Sequence, residues 1–93
     1  MIFPTYDVSF EKSTFDESIV ATGEIKNDTS RDYNLAMFRI IVYARNRRLG
    51  SGIIKLYDFR RGMNKSFRTY IPITADIKVS MINRYEVMIE GGY

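Results

Sequence analysis

The chain has 93 residues, 45% hydrophobic and 14% aromatic, with a net charge of +3 and no cysteine, histidine or tryptophan. A chain of this length buries roughly 60–65% of its unfolded surface, enough for one modest core, so residues 1–93 are read as a single domain. Without thiols or imidazoles there is no zinc site of the usual kind, no Cys or Ser-His nucleophile, no haem or iron–sulfur ligation and no histidine base; no cofactor is implied.

The hydrophobic period is two. Tyr6, Val8 and Phe10 alternate with Thr5, Asp7, Ser9 and Glu11, which predicts a half-buried strand over 5–11. A polar connection precedes a second strand over 18–26, where Ile19, Ala21, Gly23 and Ile25 alternate with Val20, Thr22, Glu24 and Lys26. The run Asn27-Asp28-Thr29-Ser30-Arg31-Asp32 is a turn signal, because its side chains offer the backbone local hydrogen bonds. The longest strand follows over 33–44; its second half is apolar on both faces, as in a central strand or one with a bulge near Arg39. A polar hairpin turn over 45–50 leads to a short strand over 51–57, and a second turn over 58–63 leads to a strand over 65–71 that Pro72 ends. Residues 73–83 read as a short strand or loop, residues 84–90 as the closing strand, and Gly91-Gly92-Tyr93 as a frayed end.

Short strands, turn signals every 8–12 residues and no helical period predict an all-β fold, an antiparallel immunoglobulin/fibronectin-like β-sandwich of about seven strands. The core expected from this alternation is Tyr6, Val8, Phe10, Ile19, Ile25, Leu35, Phe38, Ile40, Val42, Ile54, Leu56, Phe67, Ile71, Tyr85, Val87 and Ile89. No run of apolar residues exceeds 40–44 and the first residues lack the features of a secretion signal, so neither membrane insertion nor a leader is expected of this segment.

The stretch 21–67 resembles the FxLYD family of small bacterial and archaeal β-sandwich domains. The resemblance lies in Gly23-Glu24-Ile25-Lys26-Asn27 with Thr29, Ser30 and Tyr33, then Phe38 through Tyr43, then Leu49-Gly50-Ser51-Gly52, then Gly62 and Phe67. It covers about half of the chain and rests on structural residues; Ala44 stands where the family usually has Asp. It implies an immunoglobulin-like sandwich in a surface, secreted or membrane-attached protein without established catalysis, and it carries no functional residues over.

The motifs that could carry chemistry are weak. Asp28-Thr29-Ser30-Arg31-Asp32 opens like a calcium loop, but Tyr33 and Arg39 occupy the positions where an EF-hand needs Gly and Glu. The sequon matches at Asn27 and Asn64 read as turn residues, Gly50-Ser51-Gly52 lacks the lysine and helix of a phosphate loop, and the neighbours Asp16 and Glu17 point apart on an extended chain. No catalytic or metal-ligating residue is assigned, and no enzymatic activity is expected.

Charge is distributed unevenly. Residues 1–44 carry four basic and seven acidic side chains, residues 45–93 ten and four, and between Arg45 and Arg68 eight basic residues accompany the single acid Asp58. Arg45, Arg47, Arg48, Lys55, Arg60, Arg61 and Arg68 are therefore the candidate anion-binding residues. Successive turns place Arg45, Arg47 and Arg48 roughly 20–25 Å from Arg60 and Arg61, so a polymer would need Lys55 or Arg68 as a bridge. The strand over 51–57 has one lysine and no proline, which makes Ile53, Lys55 and Tyr57 a candidate edge interface for a weak homodimer. The expected function is a non-catalytic interaction or scaffold module of an envelope-associated or secreted prokaryotic protein. Its expected partner is a protein or a neighbouring domain; binding of nucleic acid or a polyanionic glycan is the alternative.

Overall fold

Alternating apolar residues, with turn residues between them, produce six strands among the described residues, 2–93, of a computed structural model. These are β1 (Thr5–Lys12), β2 (Ser18–Lys26), β3 (Tyr33–Ala44), β4 (Arg47–Phe59), β5 (Asn64–Pro72) and β6 (Arg84–Gly92). They form two antiparallel three-stranded sheets, ordered β1-β2-β5 and β4-β3-β6. One core joins the sheets: Ile19, Ala21, Ile25, Phe67 and Ile71 from the first meet Ala36, Phe38, Ile40, Val42, Ile54 and Leu56 from the second. An aromatic cluster caps one end, where Phe3 lies edge-on to Phe38 at 5.1 Å and Phe38 edge-on to Phe59 at 6.2 Å, an arrangement the ring quadrupoles favour.

The expected long strand is the centre of its sheet. Its irregularities lie between Met37 and Phe38 and between Val42 and Tyr43 rather than at Arg39. Strand β4 is nearly twice the expected length because the β3–β4 turn is confined to Arg45 and Asn46, with Ala44 opposite Arg47. Arg45 takes the left-handed conformation (φ 58°) and donates its N–H to Asn83 Oδ1 at 2.8 Å, which holds the turn closed. Residues 73–83 form a covering loop with a 3-10 turn at Val79–Met81, and Ile77 is buried under it. The chain end is not frayed: Gly91 and Gly92 continue β6, and Tyr93 exchanges backbone hydrogen bonds with Leu35 at 3.0 and 3.2 Å.

Three residues expected in the core lie outside it, each for a local reason. Tyr6 is 44% exposed because Asp7 is left-handed (φ 53°) and the β1–β2 register shifts there, which turns Tyr6 outward while Val8 and Phe10 stay inward. Leu35 faces outward opposite Tyr57, because alternation breaks where Asp58 is left-handed (φ 52°); Tyr33 and Phe59 become the buried pair. Ile89 points inward but keeps 41% exposure at the margin of its sheet.

Asn27 ties the turns to the sheets. Its side chain is fully buried: Nδ2 donates to the carbonyls of Arg31 (2.9 Å) and Phe59 (3.0 Å), and Oδ1 accepts from Thr29 N (3.0 Å) and Thr29 Oγ1 (2.6 Å). Its backbone N–H donates to Met63 at 3.0 Å, and its carbonyl accepts from Gly62 at 2.7 Å. A residue so engaged is structural, whatever sequon it matches.

Candidate interaction surfaces

The arginines stand at both ends of the molecule. Arg45 sits on the β3–β4 turn, and Arg47 and Arg48 open β4; Arg47 Nη2 is 3.8 Å from Asp76 Oδ2 and Arg48 Nη2 donates to Ser51 Oγ at 3.0 Å. At the far end of β4, Arg60 Nη2 donates to Asp58 Oδ1 at 3.3 Å, and the Arg61 backbone N–H donates to Asp32 Oδ1 at 2.9 Å. The 12 residue steps of β4 separate the groups by roughly 40 Å, about the long dimension of the molecule (42 Å) and well beyond the 20–25 Å expected from a shorter strand. Lys55 projects from the outer face of β4-β3-β6, opposite Met37. Arg68 projects from the outer face of the other sheet, opposite Thr22 and 5.8 Å from the centre of the Tyr70 ring. These two side chains therefore do not join the arginine groups along one sheet face.

Carboxylates are similarly dispersed. Asp28 pairs with Lys26 at 3.3 Å and Asp32 with Arg61 N, so the two ends of the calcium-like turn serve different neighbours. Among the described residues no three Asp or Glu side chains are grouped closely enough to hold a metal ion, and no helix is long and apolar enough to cross a membrane. Asp76 has its carboxyl held below the ordinary carboxylate range, chiefly by the Thr74 hydroxyl, then by its own backbone N–H and by Arg47. The side chain is exposed, and its partners organise the covering loop.

The concavities are shallow. One, of about 280 Å³, lies beside β6 and is lined by Phe3, Thr5, Tyr85, Glu86 and Val87. Its polar groups are engaged: the hydroxyls of Thr5 and Tyr85 are 3.2 Å apart, and Glu86 accepts from Tyr43 OH (3.1 Å) and Arg84 (2.6 Å). Another, of about 340 Å³, is lined by Lys12 and residues of the covering loop, including Ile77 and Lys78. Neither places an acid and a free base within hydrogen-bond reach of a common point.

Four strands lie at sheet margins, and three are guarded. Strand β4 belongs to an edge, as expected, but β5 lies against it: Thr69 Oγ1 donates to the Ile53 carbonyl at 2.6 Å. A Cβ on Gly50 or Gly52 would stand 2.7 Å from the Pro72 carbonyl or 2.8 Å from that of Tyr70, so the backbones approach as only glycine allows. This contact covers β5 as well. Ile53, Lys55 and Tyr57 are exposed on the outer face beside that edge. Strand β1 follows Pro4 and is bent by the bulge at Asp7. Strand β6 has neither proline nor lysine and runs regularly against β3 from Arg84 to Ile89, with the register shift only beyond that point. Met88 (43%) and Ile89 are exposed along it. The absence of proline and lysine from β6 is legible in the sequence; that β4 rather than β6 is covered follows from how the sheets meet, for which Gly50 and Gly52 are the local sign.

Comparison with protein-family models, with curated proteins and with solved structures finds no match to this chain.

Proposed function

We propose that this domain is a non-catalytic interaction module that binds a partner by strand addition at β6. The observation that carries this reading is that, among the described residues, no strand pairs with the outer margin of β6, which is flanked by exposed Met88 and Ile89, beside three covered or bent margins. An unpaired row of N–H and C=O groups supplies main-chain affinity, and the alternating side chains supply selectivity. The resemblance to FxLYD domains extends the proposal to an immunoglobulin-like module within a larger envelope-associated or secreted prokaryotic protein. The alternative, an anionic polymer held by Arg45 to Arg68, has less geometric support because the arginine groups lie at opposite ends of β4.

A displayed library of random peptides tests the reading. The domain should enrich extended, proline-poor peptides whose capture is lost on Met88→Lys with Ile89→Lys and kept on Ile53→Lys, a change on the β4 side. Failure to enrich peptides, or capture indifferent to the β6 changes, refutes strand addition.

A further inference from the structure

We infer that the partner fitted by the β6 margin is a second copy of this chain, paired antiparallel about Val87. The inference rests on the reading of β6 as an interaction edge and adds the identity and register of the occupant.

A two-fold dimer built by joining identical antiparallel edges places one residue opposite its own copy and keeps each inward face beside the partner's inward face. Between Arg84 and Glu90, the extra residue at the register shift, the charges choose among these registers. Centring on Met88 sets Glu86 opposite the partner's Glu90 twice, and centring on Glu86 sets Glu86 against itself. Centring on Val87 sets Arg84 opposite Glu90 at both ends and pairs seven residues, 84 to 90. Centring on Tyr85 also sets Arg84 opposite Glu86 but pairs only three residues of the strand. Like charges directly opposite destabilise a sheet and opposite charges stabilise it, so the Val87 register, with seven pairs and opposite charges at both ends, is selected.

The side chains are placed for it. Glu90 holds Arg39 at 2.6 Å through Oε1, so its carboxylate is already fixed on the outer face. Arg84 donates to Glu86 at 2.6 Å and stacks over Tyr43 with its guanidinium carbon 3.9 Å from the ring centre, which holds its charge on the same outer face near the opposite end of the strand. On the inward side, Ile89 would lie opposite Tyr85 of the copy, which covers the one inward-facing aliphatic side chain of β6 that the domain leaves 41% exposed. The β4-β3-β6 sheets of the two copies would become one six-stranded sheet. Seven residue pairs make a small interface, below about 1,200 Å² and in the range of weak, transient association.

Sedimentation equilibrium on the full chain at up to about 1 mM tests the inference, a range that reaches millimolar dissociation constants. The wild-type mass should rise toward that of a dimer. Glu90→Arg and Arg84→Glu should each weaken association about tenfold or more, because each places like charges opposite one another twice. An equimolar mixture of the two variants should associate again, since the arginines of one then face the glutamates of the other. Should the reversals disturb folding, Val87→Cys keeps the test open: residues opposite one another in adjacent strands lie about 4.5–5.5 Å apart, within disulfide reach, so mild oxidation should link two chains. Ser9→Cys on β1 should stay unlinked. A wild type that stays monomeric, a mixture that stays monomeric, or linkage of Ser9→Cys equal to that of Val87→Cys overturns the inference. If the chain is monomeric while displayed peptides are still captured at β6, self-pairing alone falls; if both fail, the interaction reading falls with it.

Discussion

Replacing Asn27 by alanine is the most direct test of how the turns are held to the sheets. The substitution removes four side-chain hydrogen bonds in one step: two donated by Nδ2, to Arg31 and Phe59, and two accepted by Oδ1, both from Thr29. Thr29 and Arg31 lie near the surface, where water can replace part of the loss, whereas the bond to the Phe59 carbonyl is buried. A buried carbonyl left unpaired costs about 1–3 kcal/mol, and each surface bond about 0.5–1.5 kcal/mol before water compensates. A loss of about 3–4 kcal/mol follows. Against a total of roughly 5–14 kcal/mol for a domain this long, that is a large fraction. The expected drop in melting temperature is roughly 12–30 °C. Urea unfolding followed by circular dichroism measures it as a lower midpoint at unchanged slope. Asn27→Asp, which keeps the shape but aims a second oxygen at two carbonyls, should lose at least as much at neutral pH. A loss below about 1 kcal/mol for Asn27→Ala, or full tolerance of Asn27→Asp, would refute the argument that this side chain is the staple.

Phe38 is fully buried where the two sheets and the aromatic cluster meet, so Phe38→Ala should cost about 3–5 kcal/mol in the same urea assay; a near-zero effect would mean the wrong face of β3 is inward. Gly52→Ala should cost about 1–3 kcal/mol, because the new methyl meets the Tyr70 backbone, whereas Gly62→Ala, in open space at φ 77°, should cost only about 1 kcal/mol from backbone strain. Equal losses at the two glycines would remove the case for close β4–β5 approach. The Asp76 carboxyl is depressed, so the stability it adds is present above the ordinary carboxylate range, about pH 4, and fades as pH falls through its lowered value. Thr74→Ala should move its titration upward toward that range in a carbon-detected NMR pH series, and an unmoved midpoint would assign the depression elsewhere.

How far the sequence discloses the fold depends on which signal each residue carries. The bounds of strands β2 and β3 are legible to the residue, because each is an unbroken run of strand-favouring residues that ends at a dense turn signal. Strand β4 is only half legible: Arg47 and Arg48 read as turn residues, yet pairing with Ala44 and Tyr43 draws them into the ladder. The inversions at Asp7 and Asp58 are hidden because aspartate tolerates the left-handed region without requiring it, and a single such residue reverses the faces beyond it. Residues 73–83 read as strand or loop because Ile77, Val79 and Met81 alternate although the segment is neither strand nor long helix; it lies across the core and buries Ile77.

The surface is disclosed less well than the core, for a related reason. Charge and the absence of proline are properties of residues, so they single out the arginines and the strand holding Ile53, Lys55 and Tyr57 from the sequence alone. Whether charges cooperate depends on strand length, and the extra turns of alternation in β4 place its two arginine groups about five Debye lengths apart at physiological salt, where each acts almost alone. Whether an edge is available depends on what the other sheet does. Gly50 and Gly52 let β5 close over β4, and the same closure leaves β6 with its margin uncovered at the far side of the sheet. The two glycines that protect one edge thus determine which other edge is left to accept a strand.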